Sequence, residues 1–172
     1  MKEKIELKDL RLDSLDLLHR SILVTAGSYK EGNFNTMTIN WGFFGELWFK
    51  PSVLMTIRPQ RYTLEFLKKY DSFTLTILPD AFKSEYALMG SKSGRDTDKM
   101  KESKLTPIAS EVVEAPSYAE ACLTLECKKA YIGDMEGNGI VDPETIKEDY
   151  ADGDFHKFVI GHIVNAWKTD EF

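Results

Sequence analysis

The chain of 172 residues is 42% hydrophobic and 29% charged, which is enough for one domain, residues 1–172, with a full apolar core. Its formal net charge of −6 argues against unspecific binding to nucleic acid or to an anionic membrane, both of which select a positive surface. The charged start MKEKIELKDLRLDSLDLL lacks the apolar stretch of a secretory signal, and no apolar run approaches the ~20 residues of a membrane helix. A soluble, cytoplasmic protein with no membrane or nucleic-acid partner is therefore expected.

Ser14 is placed to cap a short helix, SLDLLHR. SILVTAG reads as a buried strand ended by Gly27, and GSYKEGN as a turn. NTMTIN alternates, with Thr36, Thr38 and Asn40 on one face and Met37, Ile39 and Trp41 on the other. Hydroxyls and an amide in a row at a barrel rim suit a flat heterocycle with carbonyls and ring nitrogens. The plain alternative is a solvent-facing strand whose threonines reflect β-propensity. The run FFGELWF is too apolar to leave exposed and points to barrel packing or to contact between two copies.

Pro51 precedes a third strand, SVLMTIR, which stops at Pro59. In TIRPQRYT, Arg58 and Arg61 flank a Pro-Gln turn, and a helix, YTLEFLKKY, starts at about Tyr62. Free amides at a helix start beside arginines, with the Thr63 hydroxyl, make an anion site. Two solvated arginines on a loop are the alternative. SFTLTIL is the fourth strand. DAFKSEYALMG reads as a helix capped by Asp80 and stopped by Gly90.

GSKSGRDTDKMK then sets Ser91, Lys92, Ser93 and Arg95 before a helical segment, RDTDKMKES, that carries Lys99. This is a second candidate anion cradle, although a charged surface helix would look alike. It is not a Walker A loop, and no G-x-G-x-x-G follows a strand. Two candidate anion sites and one candidate heterocycle strand suggest a phosphorylated planar cofactor.

YAEACLTLECKKAYIG reads as a long strand, and its Cys122 and Cys127 as reduced thiols on opposite faces. The acidic stretch DMEGNGIVDPETIKEDYADGD has room for one helix after Pro143, and HKFVIGHIVNAW is the last strand. His156 and His162 share a face there about 20 Å apart, so they cannot hold one metal ion, and no metal site is expected. His156, at the strand's mouth, is the one catalytic candidate, and a structural histidine is its alternative. Six or seven strands with irregularly inserted helices favour a mainly β fold, an antiparallel β-barrel with inserted α-helices, over a doubly wound parallel sheet.

In this order, NTMTINWG, KPSVLMTIRPQRYTLEFL, SKSGRDTDKMKESKLTP, LECKKAY and DFHKFVIGHIV resemble the flavin reductase-like proteins, which include flavoredoxin. The resemblance runs from about Ile22 to Trp167. It implies the Greek-key antiparallel FMN-binding split barrel, a homodimer, and one FMN per subunit near the interface. It implies that Thr36, Met37, Thr38 and Trp41 line the isoalloxazine, and that Arg58, Gln60, Arg61, Tyr62 and Thr63 hold the ribityl chain and phosphate. Ser91, Lys92 and Ser93 would close over the phosphate, with Arg95 and Lys99 in support.

The sequence departs from the family's pattern at three places. Gly153-Asp154-Phe155-His156 has one residue more than the Gly-Asp-His associated with nicotinamide in many relatives. His162 stands where similar members carry an acidic residue, and Met89 where some carry cysteine. The implied activity is an FMN-dependent oxidoreductase, with NAD(P)H as a candidate substrate and a small-molecule or protein redox partner. Two other readings stay open: an electron carrier that does not oxidise NAD(P)H, and a non-catalytic flavin- or haem-binding module with His156 or His162 as axial ligand.

Overall fold

The computed structural model describes residues 2–172 and opens with a two-residue strand, β1 (Glu3–Lys4), and a helix, α1 (Ser14–His19). The cap of α1 is Asp13, not the expected Ser14: the Asp13 carboxylate accepts from the amides of Leu15 and Asp16. Ser14 Oγ instead exchanges hydrogen bonds with the backbone of Phe44. Next come β2 (Ile22–Ser28), β3 (Asn33–Ile39), β4 (Gly42–Leu47) and β5 (Lys50–Ile57).

Strand β4 occupies much of the FFGELWF run, which sequence reading left as packing without a strand. Its turn into β5 uses Trp48 and Phe49, both at positive φ (54° and 58°), where Gly or Asn would announce a hairpin. Strand β2 continues one residue past Gly27, which sits at φ 129° against β3. A Cβ at Gly27 would lie 2.4 Å from Asn33 O and from Phe34 Cα, both of them backbone atoms. Gly27→Ala is therefore expected to destabilise the fold by about 3 kcal/mol or more, read as a lower urea midpoint at unchanged m-value.

The chain continues through α2 (Thr63–Lys69), β6 (Ser72–Ile77), α3 (Lys83–Ser91) and α4 (Lys99–Glu102). Helix α3 follows a single 3-10 turn over Asp80–Phe82 and runs through Gly90, so Asp80 does not cap it and Gly90 does not stop it. The expected long strand is divided: β7 (Pro107–Ile108) pairs with β8 (Ser117–Tyr118), and β9 (Leu123–Asp134) begins after a turn. Cys122 falls just before β9, and both cysteines are buried free thiols. Helix α5 (Pro143–Asp149) is capped by Asp142 with Pro143 in its first turn, and β10 (Lys157–Lys168) ends the sheet, leaving His156 one residue outside it.

All pairings are antiparallel, in the order β3-β2-β6-β9-β10-β5-β4, with β1 added on β10. The two ends of this path, β3 and β4, are joined by Asn40 and Trp41 alone. Two residues span under about 10 Å, so the sheet has to curl until its edges meet. Val24, Met37, Val53, Met55, Leu75, Leu125 and Val159 fill the resulting interior. A second apolar cluster lies outside the barrel wall, where Tyr86 and Met89 of α3 pack with Leu23 and Tyr118. It explains why β2 and β6 are buried on both faces, as near-continuous apolar or β-branched runs require.

Candidate functional site

The RPQRYT turn, the end of α3 and the loop before α4 converge over β3. Met37, Gln60, Arg61, Tyr62, Thr63, Ser91, Lys92, Ser93 and Lys99 line one small cavity of about 110 Å³. Asn35, Met89 and Gly94 complete it. Residues from three separate blocks of the sequence thus share one wall-to-wall space. Arg61 Nη1 donates to Gly90 O (3.1 Å), which ties the RPQRYT turn to the end of α3. Arg95 lies over the Tyr62 ring, donates to Gln60 O (3.0 Å) and pairs with Glu65. These contacts hold the loop across the turn.

Lys99 is the unusual member. It is 5% exposed, and its Nζ donates to two carbonyls, Thr36 O (2.5 Å) and Met89 O (3.2 Å). Burial, and next the Arg61 guanidinium, lower its pKa from 10.5 to about 8. No carboxylate among the described residues offsets that shift. A buried ammonium with only neutral acceptors, beside a second cation, is costly unless an anion completes it. Helix α2 adds less than its position suggests. The amides of Leu64 and Glu65 already bond to Arg61 O and Tyr62 O, so the positive charge of the cavity resides on side chains.

Asn35 went unnoticed in the sequence. It lies on the Met37 face, not the Thr face, and its Nδ2 donates to Thr63 Oγ1 (2.7 Å). Gly94 is pressed against it: a Cβ there would lie 2.1 Å from Asn35 Oδ1. The alternation of NTMTIN carried the signal, since Asn35 and Met37 must share the face opposite the threonines.

Five expected residues do not line this cavity: Arg95, which instead ties the loop to Gln60 and Glu65, and Thr36, Thr38, Arg58 and Trp41. Thr36 and Thr38 face the second apolar cluster under α3. Thr36 Oγ1 bonds to Tyr118 Oη and to Thr25 Oγ1 (2.9 Å), and Thr38 Oγ1 donates to Tyr86 O (2.6 Å). Arg58 turns away to bind Asp154 Oδ2 (2.6 Å) and Asp149 O (2.9 Å). Trp41 is half-exposed and its ring lies 5.1 Å from that of His156.

His156 belongs to this neighbouring cluster. Its Nδ1 pairs with Tyr150 Oη (2.8 Å), and burial followed by the Arg58 charge lowers its pKa. Hydrogen bonds from Gln60 and then Arg58 hold the Asp154 carboxyl below its usual range. Phe155, the added residue of Gly-Asp-Phe-His, stacks on Tyr150. His162 is separate, with Nδ1 at 2.9 Å from Ser52 Oγ and the ring edge-on to Trp48. Among the described residues no three of His, Cys, Asp and Glu form a metal-binding group, and no helix is long and apolar enough to cross a membrane.

Residues 17–171 match the family described as flavin reductase like domain. An uncharacterized protein of Pyrococcus abyssi is 30% identical over 110 residues, covering 63% of this chain and 60% of that relative. An FMN-binding domain of a flavin reductases-like enzyme from Shewanella baltica superposes with a TM-score of 0.69 at 20% identity, covering 98% of this chain and 77% of that one. The flavoredoxin of Desulfovibrio vulgaris gives 0.68 at 22% identity, over 87% of this chain and 69% of the other. The fold is that of the split-barrel FMN-binding domains.

Proposed function

The chain belongs to the flavin reductase-like family, and we propose that it binds FMN with the phosphate between Arg61 and Lys99, as an oxidoreductase passing hydride or electrons through that cofactor. The observation that carries this is the buried Lys99 ammonium, beside Arg61 and facing only carbonyl acceptors. A phosphate fits what these residues lack: it brings up to two negative charges and acceptor oxygens for both cations and for the hydroxyls of Thr63 and Ser93, whereas the Ser91 hydroxyl already donates to Ala87 O (2.7 Å). FMN supplies the hydride and one-electron chemistry when bound. The chain's own part is to anchor the phosphate with Arg61 and Lys99 and to offer Met37 and Met89 as apolar wall. Arg95 holds the loop from Ser91 to Asp98 against the RPQRYT turn, which limits water. The absorption spectrum of the purified protein, before and after FMN is added and excess removed, tests the proposal. Absence of flavin bands in both would overturn it.

A second reading, an electron carrier without NAD(P)H oxidation, is favoured by one observation. The Asp154 and His156 of the lengthened Gly-Asp-Phe-His segment are engaged with Arg58, Gln60 and Tyr150. Anaerobic mixing of the FMN-loaded protein with NADH and with NADPH separates the two readings. Rapid bleaching by either nucleotide excludes the carrier role.

The proposal includes a homodimer. Phe43, Leu54, Ile160 and Tyr131 are direct cross-strand partners on β4, β5, β10 and β9, and so form one apolar row on the barrel's outer face. Phe43 is 70% exposed and Phe49, at the nearby hairpin tip, 96%. A second copy would cover this row. Sedimentation is expected to give a dimer for the native chain and a monomer for Phe43→Glu. A native monomer carrying FMN would contradict the dimer.

A further inference from the structure

The arm from Met135 to Phe155, between β9 and β10, has little hold on the core. Among the described residues, no side chain of this arm belongs to either apolar cluster. Two adjacent side chains fasten its end. The Asp154 carboxylate accepts through one oxygen, Oδ2, from Arg58 Nη1 (2.6 Å) and from Gln60 Nε2 (2.9 Å). The Phe155 ring stacks on Tyr150 with centroids 4.9 Å apart. It also covers the bare backbone of Gly137, where a Cβ would lie 2.3 Å from Phe155 Cζ. The Arg58 guanidinium is 5.4 Å from the centre of the Tyr150 ring, so the carboxylate grip and the aromatic shelf belong to one surface.

A guanidinium and an amide aimed at one carboxylate oxygen, beside a flat ring, make a receptor for an aromatic acid. In this fold the receptor holds a piece of its own chain. Hydrogen bonds from Gln60 and then Arg58 keep the Asp154 carboxyl below its usual range, so the internal group carries the charge that an external acid would bring. Gly153, just before the pair, sits at φ 70°, and a Cβ there would meet nothing within 4 Å. The chain can pivot at that point without striking the fold. We propose that Arg58, Gln60 and Tyr150 form a binding site for a small aromatic carboxylate, and that Asp154 and Phe155 fill it as an internal competitor. A ligand that displaces the pair also loosens the chain next to the buried His156 ring and its Trp41 neighbour. The site uses neither Lys99 nor Arg61 and needs no bound flavin, so it stands apart from the phosphate assignment. Gln60 is the residue it shares with the anion cavity.

The probe is 3-phenylpropanoate, with propanoate and 3-phenylpropan-1-ol as its two halves. Each is titrated into the whole native chain and into the double variant Asp154→Ala/Phe155→Ala. An internal competitor lowers apparent affinity by the fraction of time it leaves the site empty. The double variant is therefore expected to bind 3-phenylpropanoate at least about tenfold more tightly than the native chain does, and to bind either half at least about tenfold more weakly than the whole probe. Adding Arg58→Ala to the double variant should remove the gain. Equal affinity of the native chain and the double variant would overturn the proposal, as would a gain that survives Arg58→Ala. If the double variant does not fold, hydrogen exchange in the native chain decides. Faster exchange of the amides of residues 151–155 on adding 3-phenylpropanoate supports displacement, and unchanged exchange overturns it.

Discussion

Lys99→Met is expected to lower FMN affinity by about 100-fold, with little change in affinity for riboflavin. The substitution removes a charge-assisted contact worth roughly 2–3 kcal/mol, and riboflavin lacks the phosphate that makes it. The pH dependence gives an independent check. In the ligand-free fold the lysine's pKa is lowered from 10.5 to about 8, so between these values the unfolded chain binds more protons than the folded one. Stability therefore rises with pH across that window, as the buried ammonium is relieved of its charge. The rise should be absent from Lys99→Met, measured as urea midpoints at pH 7, 8, 9 and 10. FMN affinity should move the other way in the native protein. It stays level up to about pH 8 and declines above it, because the phosphate requires the protonated lysine.

Arg61→Ala is the second large effect. Arg61 is exposed, unlike Lys99, and its side chain donates one hydrogen bond among the described residues, to Gly90 O. Its loss should leave stability within about 0.5 kcal/mol. FMN binding should fall about 30- to 100-fold, and riboflavin binding by a few-fold at most. Arg61→Lys should recover only part of the loss, since an ammonium cannot reproduce the planar, two-pronged grip of a guanidinium. Equal losses for FMN and riboflavin would remove the phosphate from this position. Arg58→Ala provides the contrast. Arg58 is held by Asp154 and Asp149 O, so its removal should loosen the acidic segment around α5 more than it weakens FMN.

The difference between Arg58 and Arg61 was not legible in the sequence, where they flank the same turn. Their roles are separated by a partner 96 residues away, and no local pattern announces Asp154. The threonine face of β3 failed for a similar reason. Its period-2 pattern was read correctly, but the pattern does not say which face lies under a helix. Tyr118, 82 residues on, and the backbone of α3 take the hydroxyls of Thr36 and Thr38, leaving Asn35 and Met37 toward the cavity.

What sequence did convey was convergence. The RPQRYT and SKSG blocks were each weak alone, yet both carried cations and hydroxyls next to turns, and the fold brings them into contact through Arg61 and Gly90. Strand β4 was missed because its hairpin uses Trp48 and Phe49 at positive φ, where the usual signal is glycine or asparagine. The antiparallel barrel, by contrast, followed from strand patterns and irregular helix insertion, because burial on one or both faces writes itself directly into the order of residues.

The most direct test of the account is the ratio of FMN to riboflavin affinity for the unmodified protein at pH 7. The two ligands share their ring and ribityl chain and differ only in the phosphate. With Arg61 and the buried Lys99 completing their charge on that phosphate, FMN should bind at least about 100-fold more tightly. Equal affinities would contradict the claim that this pair of cations is what holds the cofactor.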